Sequence, residues 1–132
     1  MGLAENKRVV EAFYDAGNRG NLDAAVALLA DDVRWMVTGT TKFSGTYAGK
    51  QDLVTRLVAP LFGQLKAGIN GTILNLIAEG DFVAAQVSGR AETKDGRAYD
   101  NTYCFVFRLH GGKIAEVTEY LDTELVTAVF GK

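Results

Sequence analysis

The chain is poor in residues that cross-link, ligate or interrupt a protein: 1 of its 132 residues is cysteine, 1 is histidine and 1 is proline. The lone Cys104 rules out an internal disulfide, and its place in an apolar, strand-like run indicates a buried structural thiol rather than a nucleophile. The lone His110 precedes two glycines at a predicted turn and rules out a two-histidine metal site. P-loop, GxGxxG, GxSxG and CxxC motifs are missing too, so neither a metal nor a cofactor is expected.

Charge of one sign and long hydrophobic runs are equally scarce. The formal net charge is −2 and the basic residues are scattered, so neither nucleic acid nor a membrane is an expected partner. No stretch approaches the roughly 18 apolar residues of a membrane-spanning helix, and the start of the chain has no apolar signal region. The expected location is therefore the cytoplasm.

The chain does contain enough apolar sequence for a core, since 48% of its residues are hydrophobic. At this length residues 1–132 are predicted to form a single domain. Helical spacing predicts helices at about 5–16, 22–29 and 51–65, although Pro60 should kink the last one or end its first part. A short strand is predicted at 33–37, and the residues from there to position 50 are predicted to form loop and tight turns.

From residue 69 onward the apolar period changes to two. Three turn signals, at 79–81, 94–96 and 110–112, separate the runs and predict four consecutive antiparallel strands. After them, Asp122 is a plausible N-cap for a C-terminal helix. This order predicts an α+β fold in which a curved antiparallel sheet wraps around the N-terminal helices and leaves a conical pocket for a small hydrophobic molecule.

Three motifs carry a resemblance: residues 20–23 (Gly-Asn-Leu-Asp), 29–35 (Leu-Ala-Asp-Asp-Val-Arg-Trp) and 112–122, which begin Gly-Lys-Ile and end Glu-Tyr-Leu-Asp. With them the chain resembles the nuclear transport factor 2-like superfamily, and within it the SnoaL-like polyketide cyclases and ketosteroid isomerase-related proteins. The resemblance covers nearly the whole chain and implies a cystatin-like α+β cone with a pocket. It also implies a homodimer through the outer sheet face, where Cys104 and Val106 would suit an interface.

The catalytic residues of the ketosteroid isomerases do not carry across this resemblance. Their oxyanion-hole tyrosine aligns with Phe13, and Tyr14 is turned about 100° away at the next position. Their aspartate base aligns with Val37, and their protonated aspartate aligns with Phe105, or with Cys104 if the hairpin is aligned without a gap. Steroid isomerisation by that mechanism is therefore not expected.

The same alignment sets which side chains point into the cone. Glu119 is then the one carboxylate on an apolar inner face, where burial would raise its pKa and suit it to acid or base work, so it is the first catalytic candidate. Tyr103 and Asn101 are candidate donors to a substrate carbonyl. The predicted pocket walls come from the first and third helices, the loop before the third helix and the inner sheet face: Phe13, Tyr14, Trp35, Val37, Tyr47, Leu57, Leu61, Val87, Phe105, Val117 and Leu121.

Each assignment has a structural alternative. Hydrogen bonds from Tyr103, Asn101 or Arg34 could make Glu119 a satisfied structural carboxylate. Tyr14 could cap the core instead of reaching the mouth of the cavity. The sequence leaves open whether the chain is an enzyme: one hypothesis is a cofactor-free acid/base isomerase, cyclase or hydrolase for a small hydrophobic substrate. The alternatives are a non-catalytic carrier of a hydrophobic ligand and a dimerisation module that uses the sheet face.

Overall fold

Two helices come first along the chain. In the computed structural model, which describes residues 2–132, α1 spans Leu3–Asn18 and α2 spans Leu22–Ala27. The turn between them contains Gly20, whose positive φ of 72° suits glycine. The side chain of Asn21 then caps α2 by accepting a hydrogen bond from the backbone N–H of Ala24 at 3.1 Å.

Strand β1 spans Leu29–Val37 and pairs antiparallel with β2, Gly45–Ala48. The predicted start of the first strand at residue 33 was wrong, because β1 begins at Leu29. The predicted loop at 38–50 was also wrong in part, because it contains β2. Strand β2 has only four residues and begins with glycine, so its local β-propensity is weak. Its pairing with the free edge of β1 overrides that weak preference.

The predicted helix at 51–65 is divided into three parts. Helix α3 spans Lys50–Leu53, a π-helical turn spans Val54–Val58, and α4 spans Ala59–Phe62. Pro60 lies in the first turn of α4, where its missing N–H is tolerated, and its ring crowds the carbonyl four residues earlier. The wider π turn just before it accommodates that crowding, so the expected interruption at Pro60 is confirmed.

The predicted four-stranded meander is confirmed. Its strands are β3 (Asn70–Glu79), β4 (Phe82–Arg90), β5 (Thr102–His110) and β6 (Lys113–Leu121). The sheet has the strand order β2-β1-β6-β5-β4-β3. It is mixed rather than purely antiparallel, because β1 enters beside β6 in the parallel direction. The α+β cone itself is as expected.

One face of this sheet forms the core beneath the helices. On β4 and β5 every second residue is buried, which confirms the predicted inward and outward alternation. Helix α1 lies against β3 and β4. The last helix, α5, spans Thr123–Phe130, and its predicted cap is confirmed because the Asp122 carboxylate accepts from the Leu125 N–H at 3.2 Å. No helix within residues 2–132 is both long and apolar enough to cross a membrane.

Candidate functional site

A cavity of about 190 Å³ lies between the helices and the inner face of the sheet. Its walls come from α1, α2, the segment 53–62 and strands β1 and β3 to β6, so the fold assembles it from nearly the whole chain. Exposed residues among the lining, such as Asn18, Leu22 and Phe62, mark its mouth. The sequence-predicted residues that line it are Phe13, Tyr14, Trp35, Val37, Leu57, Leu61, Val87, Tyr103, Phe105, Glu119 and Leu121.

Glu119 is the acidic residue that faces this cavity. It lies near the C-terminal end of β6, where its neighbours in register are Phe105 on β5 and Val37 on β1. The indole Nε1–H of Trp35 donates to its Oε1 at 2.9 Å, and within residues 2–132 no hydrogen bond reaches its Oε2. The residue keeps some accessible area because it faces the cavity, but its carboxylate lies deep among protein atoms.

This burial controls the protonation of Glu119. Desolvation disfavours the carboxylate and raises the pKa of Glu119 to about 7, and the hydrogen bond from Trp35 lowers it only in part. Near neutral pH the group therefore exists in both forms. A carboxyl group with this balance can accept a proton and return it without leaving the physiological pH range.

Tyr14 brings a second polar group to the cavity. Its hydroxyl is buried and has no hydrogen-bond partner in the described part of the chain. The ring packs edge-on against Phe105, with centroids 5.7 Å apart, and lies close to Gly71, where a Cβ would come within 3.2 Å of it. Burial first, and then the negative charge of Glu119, raise the pKa of Tyr14 well above its usual value. The hydroxyl therefore stays protonated and keeps its hydrogen for donation.

Tyr103 and Tyr99 extend the polar part of the cavity wall. Both line the cavity from β5 and the segment before it, and burial raises the pKa of each, so both stay protonated. The Tyr103 ring stacks on Phe105 at 5.1 Å and lies over Gly89, where a Cβ would come within 2.6 Å of it. Glycine at position 89 is therefore what allows the Tyr103 ring to lie against the sheet.

Asn101 does not line the cavity, so its expected role as a substrate donor needs correction. Its amide N–H groups donate to the Tyr99 hydroxyl at 3.1 Å and to the carbonyl of Asp122 at 3.2 Å. Its carbonyl accepts from the N–H groups of Thr102 at 2.7 Å and Asp122 at 3.0 Å. All its hydrogen-bonding capacity joins the start of β5 to the end of β6.

Tyr47 and Val117 were also expected in the pocket and lie outside it. The Tyr47 hydroxyl donates to the carbonyl of Phe43 at 2.7 Å, and the guanidinium of Arg56 lies over its ring at 4.8 Å. Val117 does face inward, but its register partner is Phe107, and that end of the cone is filled by packed side chains. The alternation of residues along a strand predicts which face of the sheet a side chain lies on. It does not predict how far along the strand the cavity extends.

The sequence analysis did not assign Phe43 to the cavity wall. This residue sits in the loop between β1 and β2, where no periodic pattern identifies an inward side chain. It is buried and packs edge-on against Phe130 of α5, with ring centroids 5.5 Å apart.

Within residues 2–132, no cluster of three or more His, Cys, Asp or Glu side chains is placed to hold a metal ion.

Comparison with known proteins agrees with this geometry. A family model described as the SnoaL-like domain matches residues 10–117. The chain belongs to the SnoaL-like family. A search of curated proteins gives no match.

Solved structures share the SnoaL-like fold at low sequence identity. An NTF2-like protein of unknown function from Burkholderia pseudomallei K96243 is 21% identical over 100% of both chains, with a TM-score of 0.84. A candidate SnoaL-like polyketide cyclase from Jannaschia sp. CCS1 is 18% identical over 97% of this chain and 92% of its own, with a TM-score of 0.81. A Catenulispora acidiphila protein with a ketosteroid isomerase-like fold, in complex with trimethylamine, is 19% identical. The match covers 91% of this chain and 89% of that protein, with a TM-score of 0.77.

Within this SnoaL-like cone the polar groups stand in different places from those of the ketosteroid isomerases. The resemblance aligns the isomerases' aspartates with Val37 and with Phe105, or with Cys104 if the hairpin has no gap. Val37 and Phe105 line the cavity and are apolar. Glu119 on β6, the strand between β1 and β5, pairs in register with both Val37 and Phe105. The carboxylate that lines this cavity is therefore on β6, and the tyrosine of α1 that lines it is Tyr14, the residue after Phe13.

Proposed function

We propose that this SnoaL-like protein is an acid/base catalyst that needs no cofactor and acts on a small, largely apolar substrate held in the cavity. The observation that carries the proposal is Glu119: a carboxyl group with a pKa of about 7, in an otherwise apolar cavity, with one oxygen held by Trp35 and the other free. Perturbed carboxyl groups in clefts are typical of catalytic acids and bases.

The arrangement supports proton transfer next to a substrate carbonyl. The free Oε2 of Glu119 would remove a proton from the carbon beside the carbonyl, and the electron pair would move onto the carbonyl oxygen. The Tyr14 hydroxyl, which has no hydrogen-bond partner among residues 2–132, would donate to that oxygen as charge develops on it. Returning the proton to a different atom would complete an isomerisation, and attack of the enolate on a second carbonyl would close a ring.

A hydrophobic-ligand carrier is the second candidate, and the apolar lining of the cavity is the observation that favours it. A carrier needs the same walls and the same depth but no group that exchanges protons with the ligand. The pKa of Glu119 favours the catalytic proposal, because keeping a titrating carboxyl group inside an apolar cavity brings a carrier no benefit.

Deuterium exchange tests the catalytic proposal without knowledge of the natural substrate. In D₂O at pD 7.5, the protein should speed incorporation of deuterium at C2 of 1-indanone, a two-ring ketone, followed by proton nuclear magnetic resonance. Glu119→Gln should lower the protein-dependent rate by about 100-fold or more, because the base is lost while the acceptor for Trp35 remains.

Glu79→Gln, on the exposed end of β3, is the matched control and should leave the exchange rate unchanged. Binding of 1-indanone is measured in parallel by calorimetry. If the ketone binds and no exchange above that of buffer occurs between pD 6 and 9, the acid/base proposal fails and the carrier is favoured.

We further propose that the outer sheet face binds a second copy of the chain. In register across five strands, this face presents a row of mostly apolar side chains, and several large side chains on it are exposed, including Met36, Ile77, Phe82 and Tyr120. The row consists of Ile77, Ala84, Val106, Thr118 and Met36. Exposed apolar rows of this kind on a sheet are typical of interfaces between subunits.

Sedimentation equilibrium tests this second proposal. The wild-type chain of 14.2 kDa should sediment as a dimer at micromolar concentration. Val106→Glu, at the centre of the row, should weaken association at least tenfold, because it places two carboxylates near the two-fold axis. Ala12→Glu, on the exposed face of α1, should have no effect. A wild-type chain that stays monomeric at 100 µM would rule out this interface.

A further inference from the structure

Two edges of the cavity mouth are held to the fold in different ways. One edge is the end of α1 beside the start of β3, where the Asn18 side chain binds both backbone groups of Gly71. Its Nδ2–H donates to the Gly71 carbonyl at 2.7 Å, and its Oδ1 accepts from the Gly71 N–H at 2.8 Å. Gly71 is also paired in register with Gly89 of β4. Hydrogen bonds therefore fix this edge to both α1 and the sheet.

The opposite edge is the segment of residues 57–63, which runs from the π-helical turn through α4. The side chains of this segment that line the cavity are Leu57, Val58, Leu61 and Phe62. Within residues 2–132, none of the hydrogen bonds of residues 57–63 reaches beyond residues 50–65. Apolar contacts of the cavity-lining side chains are therefore what holds this edge in place.

The flanks of residues 57–63 are attached more firmly. Before the segment, the N–H of Gly49 donates to the carbonyl of Val33 in β1 at 2.7 Å. After it, the N–H of Lys66 donates to the carbonyl of Glu92 at 2.9 Å, and the two side chains form an ion pair at 2.8 Å. Residues 57–63 thus form a bridge between two anchored ends.

Two physical features make this bridge easy to displace. The π-helical turn interrupts the helix, so α4 has only four residues, too few for a helix to be stable through its own hydrogen bonds. The side chains that hold the bridge also face open space in the cavity, so they have packing partners on one side only. Segments held by few contacts open at a lower free energy than the rest of a fold.

We propose that residues 57–63 form a lid on the cavity, which opens to let the ligand enter and leave while the edge at Asn18 and Gly71 stays in place. The lid goes beyond the proposed function, because a catalyst and a carrier both need their ligand to reach the cavity. In either case, opening of the lid limits how fast the ligand enters.

Hydrogen exchange followed by nuclear magnetic resonance tests which edge moves, and the chain offers two glycine amides for the comparison. The Gly63 N–H donates to the Ala59 carbonyl at 2.9 Å inside the lid, and the Gly71 N–H donates to Asn18 at 2.8 Å on the fixed edge. After correction for intrinsic rates, the Gly63 amide should exchange at least ten times faster than the Gly71 amide. Equal rates, or faster exchange at Gly71, would overturn the lid.

Labelling of a thiol inside the cavity tests whether the lid controls entry. Val87 lines the cavity and is 1% exposed, so Val87→Cys places a thiol there, and Cys104→Ser removes the native one. 4,4′-Dithiodipyridine labels this thiol by disulfide exchange and releases thiopyridone, which is followed by its absorbance. The labelling rate should rise at least tenfold in Leu57→Ala, because this variant removes the buried side chain of the lid. Leu61→Ala, at a half-buried position of the lid, should act in the same direction.

Leu53→Ala is the matched control for Leu57→Ala. Leu53 also lines the cavity and is 3% exposed compared with 6% for Leu57, but it belongs to α3, which packs against β1 and β2. This variant should change the labelling rate by less than threefold. Equal acceleration by Leu53→Ala and Leu57→Ala would mean that lost volume admits the reagent. That result, no acceleration by either lid variant, or labelling no faster than global unfolding measured by urea jump, would overturn the lid.

Discussion

Glu119→Gln is expected to raise the free energy of unfolding at pH 8 by up to about 3 kcal/mol, although it touches no structural contact other than the acceptor for Trp35. The reason is the pKa of Glu119, which burial raises from 4.5 in the unfolded chain to about 7 in the folded protein. Below pH 4.5 both states hold the proton, and the group has no effect on stability.

Between these two pKa values the folded and unfolded states bind different numbers of protons, so the free energy of unfolding depends on pH. There the folded protein keeps a proton that the unfolded chain has released, so the free energy of unfolding falls by about 1.4 kcal/mol for each pH unit. Above pH 7 both states are ionised, and the folded protein retains a buried charge at constant cost. Glutamine is neutral at every pH, so the variant should lack this part of the pH dependence.

Urea denaturation of both proteins between pH 4 and 8.5 measures the effect as the difference between wild type and variant. That difference should grow from pH 4.5 to pH 7 and then stay constant, and the wild-type Trp35 Nε1–H resonance should titrate over the same range. Glu79→Gln removes an exposed carboxylate and should show no such change. A difference that stays flat across the whole range would mean that Glu119 titrates as an exposed residue does.

Phe107→Ala is expected to cost about 3 to 5 kcal/mol of stability, a large part of what a domain of this size has. Phe107 is completely buried at the centre of β5. Its ring contacts Phe13 and Tyr14 of α1 edge-on, with centroids 6.1 Å away in both cases, and stacks near Phe105 at 6.0 Å. Truncation would leave a void that these rigid rings cannot close.

Phe82→Ala is the control for Phe107→Ala because it makes the same substitution at a side chain that is 48% exposed. It should change the free energy of unfolding by about 0.5 kcal/mol or less. Measurement at two protein concentrations separates an effect of Phe82 on self-association from an effect on the fold. Similar losses for the two variants would contradict the view that the inner face of the meander is the core.

Local periodicity was sufficient for the meander, and the resemblance to the ketosteroid isomerase-related proteins implied the inward position of Glu119. On strands with a period of two, a single correct hairpin assignment fixes the face of every residue. The cap at Asp122 was also predictable, since it depends on one side chain and an N–H three residues later. The roles of Asn101 and of the strand Gly45–Ala48 were not predictable, because both depend on partners distant in sequence.

The sequence by itself thus determined the alternating strands of the meander, because these follow from a period of two. The resemblance that its motifs carry implied the fold family, the inner and outer faces of the sheet, and one carboxylate on the inner face. Only the tertiary structure decided where the cone is open and where it is packed shut. Leu121 and Tyr103 line the open part, whereas Val117 and Asn101 do not. The tertiary structure also decided that Tyr14 lines the cavity and that its buried hydroxyl has no hydrogen-bond partner among residues 2–132. Those outcomes depend on how helices and strands pack in three dimensions, which no local pattern encodes.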